Sequence, residues 1–208
     1  MLVKNHMLTK EKLTIVDLEE TIENTLKRMG QESFLSLPVV NNGDLAGIIM
    51  KETIYRGYVE EGYDNFQDYI TNKKVKDIYT NKVRFIHETD EIEKASHVLG
   101  ELKIPFLAVL DSNNKFTGIL THRAIFNTFS NMLGINKGSS KLVIDLRDIS
   151  GELARLTNLI KEENINISNI AMMDSKIEDN VRIVLKLDID DTKSLTDKIR
   201  NSGFIVEN

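Results

Sequence analysis

Phe116-Thr117-Gly118-Ile119-Leu120-Thr121-His122-Arg123-Ala124-Ile125-Phe126 reads as a short buried strand that runs straight into a helix. A hydroxyl, an imidazole and a guanidinium meet at the junction. The first turn of a helix leaves backbone N–H groups without partners, and these attract anions. Arg123 adds a planar fork of donors that matches phosphate oxygens. The junction is therefore a candidate phosphate seat. The plainer alternative is that Thr121 caps the helix and Arg123 is solvated.

Working outward, the same order of elements occurs twice. In the first half, Val3–Met7 is a helical turn and Lys12–Val16 alternates like a short strand. Asp17 with Glu20 forms a capping-box pattern. The helix that follows buries Ile22, Leu26 and Met29 and stops at Gly30. Phe34–Val40 is an apolar strand, Asn41–Asp44 a turn, Leu45–Met50 the returning strand, and Glu52–Glu60 a helix. About seventy residues later the order returns. Val83–His87 aligns with Leu13–Asp17, Ile92 and Leu99 with Ile22 and Met29, and Leu107–Leu110 with Leu37–Val40. Gly118-Ile119-Leu120 aligns with Gly47-Ile48-Ile49, and even the lead-in Val75–Tyr79 echoes Val3–Met7. Between the copies, Glu61–Lys74 is a polar insertion carrying Tyr63, Phe66 and Tyr69, a cover for a pocket or ordinary packing under a loop.

The chain totals narrow the function classes. The 208 residues suit one to three small domains. A formal charge of −5 argues against bulk nucleic-acid binding, though not against a local basic pocket. With no cysteine there is no disulfide framework and no thiolate chemistry. No apolar run approaches the ~18 residues of a membrane span, and Met1–His6 lacks the apolar core of a signal peptide. The expected location is cytoplasmic.

A duplicated unit ending in Gly-apolar-apolar-Thr resembles the CBS domain. The resemblance implies an α+β fold in which tandem CBS copies (a Bateman module) pack about a pseudo-twofold axis, over residues 1–70 and 71–135. It also implies clefts that bind adenine nucleotides, with a Gly-x-x-Thr-x-x-Asp ending that holds ribose and phosphate. Copy one lacks that hydroxyl and Asp, reading Gly47-Ile48-Ile49-Met50-Lys51-Glu52-Thr53. Copy two keeps Thr121 but has Ala124 in the Asp position. Its Thr121-His122-Arg123 is similar to the Thr-Arg-Arg ending of CBS-pair proteins that bind cyclic di-AMP. On that resemblance, Lys12-Leu13-Thr14 and Phe34-Leu35-Ser36 contact the ligand. Leu13, Phe34 and Leu35 wall a base and Thr14 bonds its edge. Thr121, His122 and Arg123 meet phosphate or ribose, and Lys12 is a second cation. His122 stands where those proteins have a second Arg, so that charge is lost or becomes pH-dependent. Thr14 and Leu35 also depart from smaller or more polar residues. AMP, ATP or S-adenosylmethionine are the alternative ligands.

After the polar linker Asn136–Ser140 the pattern changes. Strands at Lys141–Asp148, Ile165–Met173, Val181–Ile189 and Phe204–Val206 alternate with helices after Ile149 and over Asp191–Ser202. This βαββαβ order predicts a ferredoxin-like fold. Asp148-Ile149-Ser150-Gly151-Glu152-Leu153-Ala154 resembles the first turn of an ACT domain, over residues 141–208, with Ser150 where members usually have proline. The resemblance implies dimerisation by sheet pairing and an amino-acid site, for which Gly151 and Asn169 are the contacts. No buried charge is legible there, which favours a purely dimerising role. The order CBS pair then ACT resembles acetoin-utilisation-type AcuB proteins.

No catalytic constellation is legible. The four histidines lie in different elements without metal-ligand spacing, and no Gly-x-Ser-x-Gly or Walker loop occurs. The expectation is a non-enzymatic, homodimeric sensor without cofactor or metal. It binds an adenine nucleotide, cyclic di-AMP foremost, and signals to an unidentified effector protein. The alternative is a ligand-free dimeric scaffold.

Overall fold

A computed structural model describes residues 1–135 and 137–207; Asn136 of the expected linker lies outside the described residues. The chain divides into two units, Met1–Ile125 and the chain from Phe126 on. The first unit opens with a 3₁₀ turn at Val3–Asn5, strand β1 (Leu8–Thr9) and a second 3₁₀ turn at Lys10–Lys12. Copy one follows as β2 (Val16–Asp17), α1 (Ile22–Gln31), β3 (Ser36–Asn41), β4 (Asp44–Met50) and α2 (Lys51–Glu61). After α3 (Phe66–Asn72) and α4 (Val75–Ile78), copy two is β5 (Phe85–His87), α5 (Ile92–Glu101), β6 (Phe106–Leu110), β7 (Phe116–Thr121) and α6 (His122–Met132).

The duplication extends to register. In each copy the first strand pairs parallel with the second, and the second antiparallel with the third. In both hairpins the register shifts just after the residue opposite the glycine, at Val39↔Gly47 and Val109↔Gly118. Each copy also lends its lead-in to the other. Val75 and Lys76 donate to the carbonyls of Glu20 and Leu18 at 2.9 and 3.0 Å, while Val3 and Lys4 donate to Asp90 and Glu88 at 2.9 and 3.1 Å. Next along, Thr80 exchanges two 2.9 Å backbone bonds with Ile48 of β4, and β1 pairs with β7 as Leu8↔Ile119 and Thr9↔Gly118. A Cβ on Gly47 would stand 2.3 Å from the Thr80 oxygen, and one on Gly118 2.2 Å from the Leu8 oxygen. Those glycines are there because a second chain segment crosses directly over them.

This exchange explains the apolar strands. One face of copy one's sheet buries Leu37, Val39 and Ile49 with Ile22 and Met29 of α1. Its other face brings Val40 and Ile48 against Phe106, Ala108, Phe116 and Ile119 of copy two. A strand covered on both faces has no polar alternation. Tyr63, Phe66 and Tyr69 pack into copy one's core, with Tyr69 fully buried. Outside, Glu19 holds Lys74 at 2.7 Å and Lys76 at 2.8 Å. These two ammonium groups pull the Glu19 carboxyl down to about 2. The clamp is complete above the ordinary carboxylate range and is lost as pH falls towards that value.

Three local expectations are corrected. Lys12–Val16 is not a strand: the 3₁₀ turn ends at Lys12 and only Val16–Asp17 pairs. Leu13 and Ile15 pack instead against the core between the copies. Asp17 does not cap α1; its carboxylate accepts from Glu19 N–H at 2.9 Å, and Thr21 caps the helix by accepting from Asn24 at 3.3 Å. The helix starts later because Leu18–Glu20 is tied to the lead-in of copy two. Gly30 lies within α1, which runs to Gln31.

The second unit holds β8 (Ser140–Arg147), α7 (Glu152–Glu162), β9 (Ile167–Asp174), β10 (Asn180–Leu187), α8 (Lys193–Asn201) and β11 (Ile205–Val206). Its sheet order β11-β8-β10-β9 is antiparallel throughout, the ferredoxin-like arrangement. Leu142, Ile144 and Leu146 of β8 pack with Leu156 and Ile160 of α7 and Leu195 and Ile199 of α8. The segment before β8 is laid closely on the sheet: Ser139 N–H donates to Leu187 at 2.9 Å, and a Cβ on Gly138 would meet Ser168 Oγ at 2.7 Å. On the opposite face from the helices, Asp145 is only 3% exposed. It accepts from Arg182 at 2.9 and 3.0 Å and from Ser175 Oγ at 2.7 Å. Among the described residues no helix is long and apolar enough to cross a membrane.

Three outcomes follow from this packing. Gly118→Ala is expected to cost about 2–4 kcal/mol in urea unfolding, because the clash is with backbone. Gly30→Ala, with nothing within 4 Å of its Cβ, is expected to gain about 0.5–1 kcal/mol. The Arg182 guanidinium holds the Asp145 carboxyl below the usual carboxylate range, against the cost of burial. Asp145→Asn is therefore expected to lower the melting temperature at pH 7 by on the order of 5 °C. The gap should begin to close as pH falls below the ordinary aspartate value of about 4, where the unfolded chain takes up the proton first, and vanish only once the native carboxyl, held lower, is protonated as well.

Candidate ligand site

The β7–α6 junction works in two ways at once. Thr121 ends β7 opposite Phe106, and its Oγ accepts from the Ala124 N–H at 3.2 Å, capping α6. The cap uses the oxygen's lone pair and leaves the hydroxyl proton to give. Thr121 also lines a cavity of about 160 Å³. Lys12, Leu13 and Thr14 line it from the segment after β1, and Phe34, Leu35 and Ser36 from the entry to β3. Seven of the nine residues expected on sequence grounds thus come together, across 109 positions of chain from Lys12 to Thr121.

The other two, His122 and Arg123, are exposed on the first turn of α6 beside the cavity and are not part of its lining. His122 Nδ1 lies 3.4 Å from the carbonyl oxygen of Pro105, which is a lining residue. Among the described residues neither Arg123 nor Lys12 has an ion-pair partner. Lys10 differs, donating its ammonium to the Gly43 carbonyl.

The walls include residues that reading the sequence missed: Leu8, Leu37, Pro38, Pro105, Phe106 and Ile119. The repeat alignment carried a signal for two of them, since Pro105 and Phe106 occupy the positions of Leu35 and Ser36. Sites for whole drug-sized ligands measure about 300–1,000 Å³. This cavity is smaller, with room for only part of such a ligand. The remainder would lie at the mouth, where Leu35 is 74% and Phe34 39% exposed, beside Lys12 and the first turn of α6. The arrangement is an apolar slot with a donor-rich, cationic rim.

In the second unit the expected pair separates. Gly151 enters α7 at φ +93°, past the C-terminal end of β8. Asn169 sits opposite Lys186, which pairs with Lys141 near the start of β8. The antiparallel register puts the two at opposite ends of the sheet, so no single pocket of one chain holds both. The Asn169 Nδ2 is buried without a hydrogen-bond partner. Beside Gly151, a cavity of about 410 Å³ is lined by Arg147, Ile149, Glu152, Arg155 and Phe204. A buried charge does stand here, contrary to expectation: Asp145 lines this cavity. It is already satisfied by Arg182 and Ser175. Arg155 pairs with Glu152 at 2.7 Å and lies 4.3 Å from the centre of the Phe204 ring. Among the described residues no His, Asp and Glu cluster suits a metal ion.

The sequence pattern of the CBS domain matches residues 3–60 and 75–131, more than half of the chain. The chain is 30% identical over 110 residues to an uncharacterized protein of Methanocaldococcus jannaschii, covering 53% of this chain and 34% of that one. It is 30% identical over 115 residues to a homoserine O-acetyltransferase of Methanosarcina acetivorans, covering 55% of this chain and 19% of the relative. The chain thus spans about a third and a fifth of these curated relatives. Among solved structures, CBSX2 in complex with AMP superposes with TM-score 0.54 at 22% identity, over 65% of this chain and 98% of that one. CbpB in complex with c-di-AMP gives TM-score 0.54 at 17% identity, over 63% and 85%. At such identities the likeness speaks for the fold.

The capping role of Thr121 has its own test. Thr121→Val is expected to lose about 1 kcal/mol of stability in urea unfolding, and Thr121→Ser to keep most of it.

Proposed function

Since the chain belongs to the CBS-domain family and carries two copies in tandem, we propose that it is a non-enzymatic sensor of an adenine nucleotide, with cyclic di-AMP the best-matched ligand. The observation that carries this reading is the apolar slot beside an unpaired arginine on a helix end. In this reading one adenine enters between Leu13, Phe34 and Leu35 on one side and Pro105, Phe106 and Ile119 on the other. Thr14 and Ser36 bond its edge. The phosphate attached to it lies at the mouth, clamped by Arg123 and met by the Thr121 hydroxyl and the N–H groups of the α6 first turn. Lys12 serves the second phosphate. Ala124 offers no carboxylate to a free ribose diol, which favours a ligand whose 3′ oxygen is esterified over AMP or ATP. That AMP and c-di-AMP occupy two proteins of this fold supports the ligand class.

We read residues 1–70 and 71–135 as the two CBS domains and 141–208 as an ACT domain, an AcuB-like order, in a cytoplasmic homodimer that signals to an effector protein. The ferredoxin-like topology and the positive-φ Gly151 at the head of α7 support the ACT reading. Dimerisation is its main role, and the cavity at Arg147 and Arg155 is where an amino-acid carboxylate would be sought.

Isothermal titration with cyclic di-AMP, AMP, ATP and S-adenosylmethionine tests the reading. The cyclic dinucleotide is expected to bind most tightly. Arg123→Ala should weaken it at least tenfold, about 1.4 kcal/mol, with the melting temperature unchanged. An absence of heat from all four at high micromolar concentration overturns the sensor, and an amino-acid panel tests the second unit separately.

A further inference from the structure

The first turn of α6 carries a second group able to meet a phosphate. His122 is exposed, and its Nδ1 faces the Pro105 carbonyl at 3.4 Å. A carbonyl only accepts, so as a hydrogen bond this contact has Nδ1–H as its donor, which leaves Nε2 as the ring nitrogen available to a ligand. The charged residues on the elements around it are mostly cations. Arg123 is next on α6, Lys103 precedes Pro105, and Lys10 and Lys12 lie on the 3₁₀ turn across the cavity. Of the carboxylates on these segments, Glu11 is engaged with its own backbone and Thr9, and Glu101 at the end of α5 lies 3.5 Å from the His97 ring. Among the described residues no carboxylate forms an ion pair with His122. A protonated ring at this place has no protein counter-charge, and a bound phosphate would supply one.

Resting on the adenine-nucleotide reading above, we propose that binding takes up a proton at His122, so that the site also reads pH. Histidine is the side chain whose charge ordinarily changes between about pH 5 and 8. The complex then holds more protons than the free protein, and affinity rises as pH falls. A phosphodiester is the proper probe because its charge is constant across this range. The phosphomonoester of AMP titrates near pH 6 and would confound the result.

The experiment is titration calorimetry with cyclic di-AMP at pH 6 and pH 8, at one ionic strength. It is repeated near pH 6.8 in two buffers of different ionisation enthalpy. Binding is expected to be about three- to tenfold tighter at pH 6, with the apparent enthalpy following the buffer. His122→Gln should bind with one affinity at both pH values, close to the weaker wild-type value. His122→Arg should bind tightly at both. Wild-type affinities equal within about twofold (well under half a pK unit), or a His122→Gln protein that keeps the pH slope, overturn the inference and leave the sensor standing. Failure of the wild type to bind at either pH overturns the sensor reading and this inference with it.

Discussion

The structure of the first unit depends on two backbone crossings. At each, a lead-in segment passes so close over a hairpin that only hydrogen fits beneath it: Thr80 over Gly47, and Leu8 over Gly118. Because each lead-in belongs to the other copy, neither half completes its sheet or helix entrance alone. The β1 strand adds an edge to copy two, and the segment around Val75 closes the entrance to α1 in copy one. The pair is one compact unit made of two repeats. Its apolar interior is shared, with Val40 and Ile48 of one sheet against Phe106 and Ile119 of the other.

The same crossings place the cavity. Once Leu8 and Thr9 are clipped to β7, the next residues have to turn back across the face of copy two to reach β2. Lys12, Leu13 and Thr14 are the residues that make this passage, and so they come to stand opposite Thr121. The cavity lies between the entries to β3 and β6. Those entries carry Phe34–Pro38 and Pro105–Phe106. A proline in each wall removes a backbone donor, which keeps the slot apolar and confines hydrogen bonding to its rim. Both repeats line the slot.

The second unit buries charge as well as apolar surface. Its helices cover one face of the sheet around Ile144 and Ile183. On the other face Asp145, Arg182 and Ser175 form a bonded cluster that pins the β9–β10 turn to the sheet. Burial without Arg182 would disfavour the carboxylate; with it, the charged form is the stable one.

Reading the chain alone was enough for much that depends on local pattern. Repetition of Gly-apolar-apolar at Gly47 and Gly118, the two-sided apolar strands and the βαββαβ order after Ser140 are all properties of residue order. They specify element type and the duplication because side-chain period and turn chemistry act over a few residues. That a guanidinium, Arg123, stands just after β7 was legible for the same reason. Only the tertiary structure decided where helix α1 begins, that Lys12–Val16 is mostly not a strand, and that Gly151 and Asn169 stand at opposite ends of one sheet. Each of these turns on a partner far away in the chain: Lys73–Lys76 for Leu18–Glu20, β7 for the segment after Leu8, and the antiparallel register of β8 and β10. Hydrogen bonds between distant segments leave no local periodicity, so that Pro105 and Phe106 share one cavity with Phe34–Pro38 was decided by the packing of the two copies, although the repeat alignment pairs their positions.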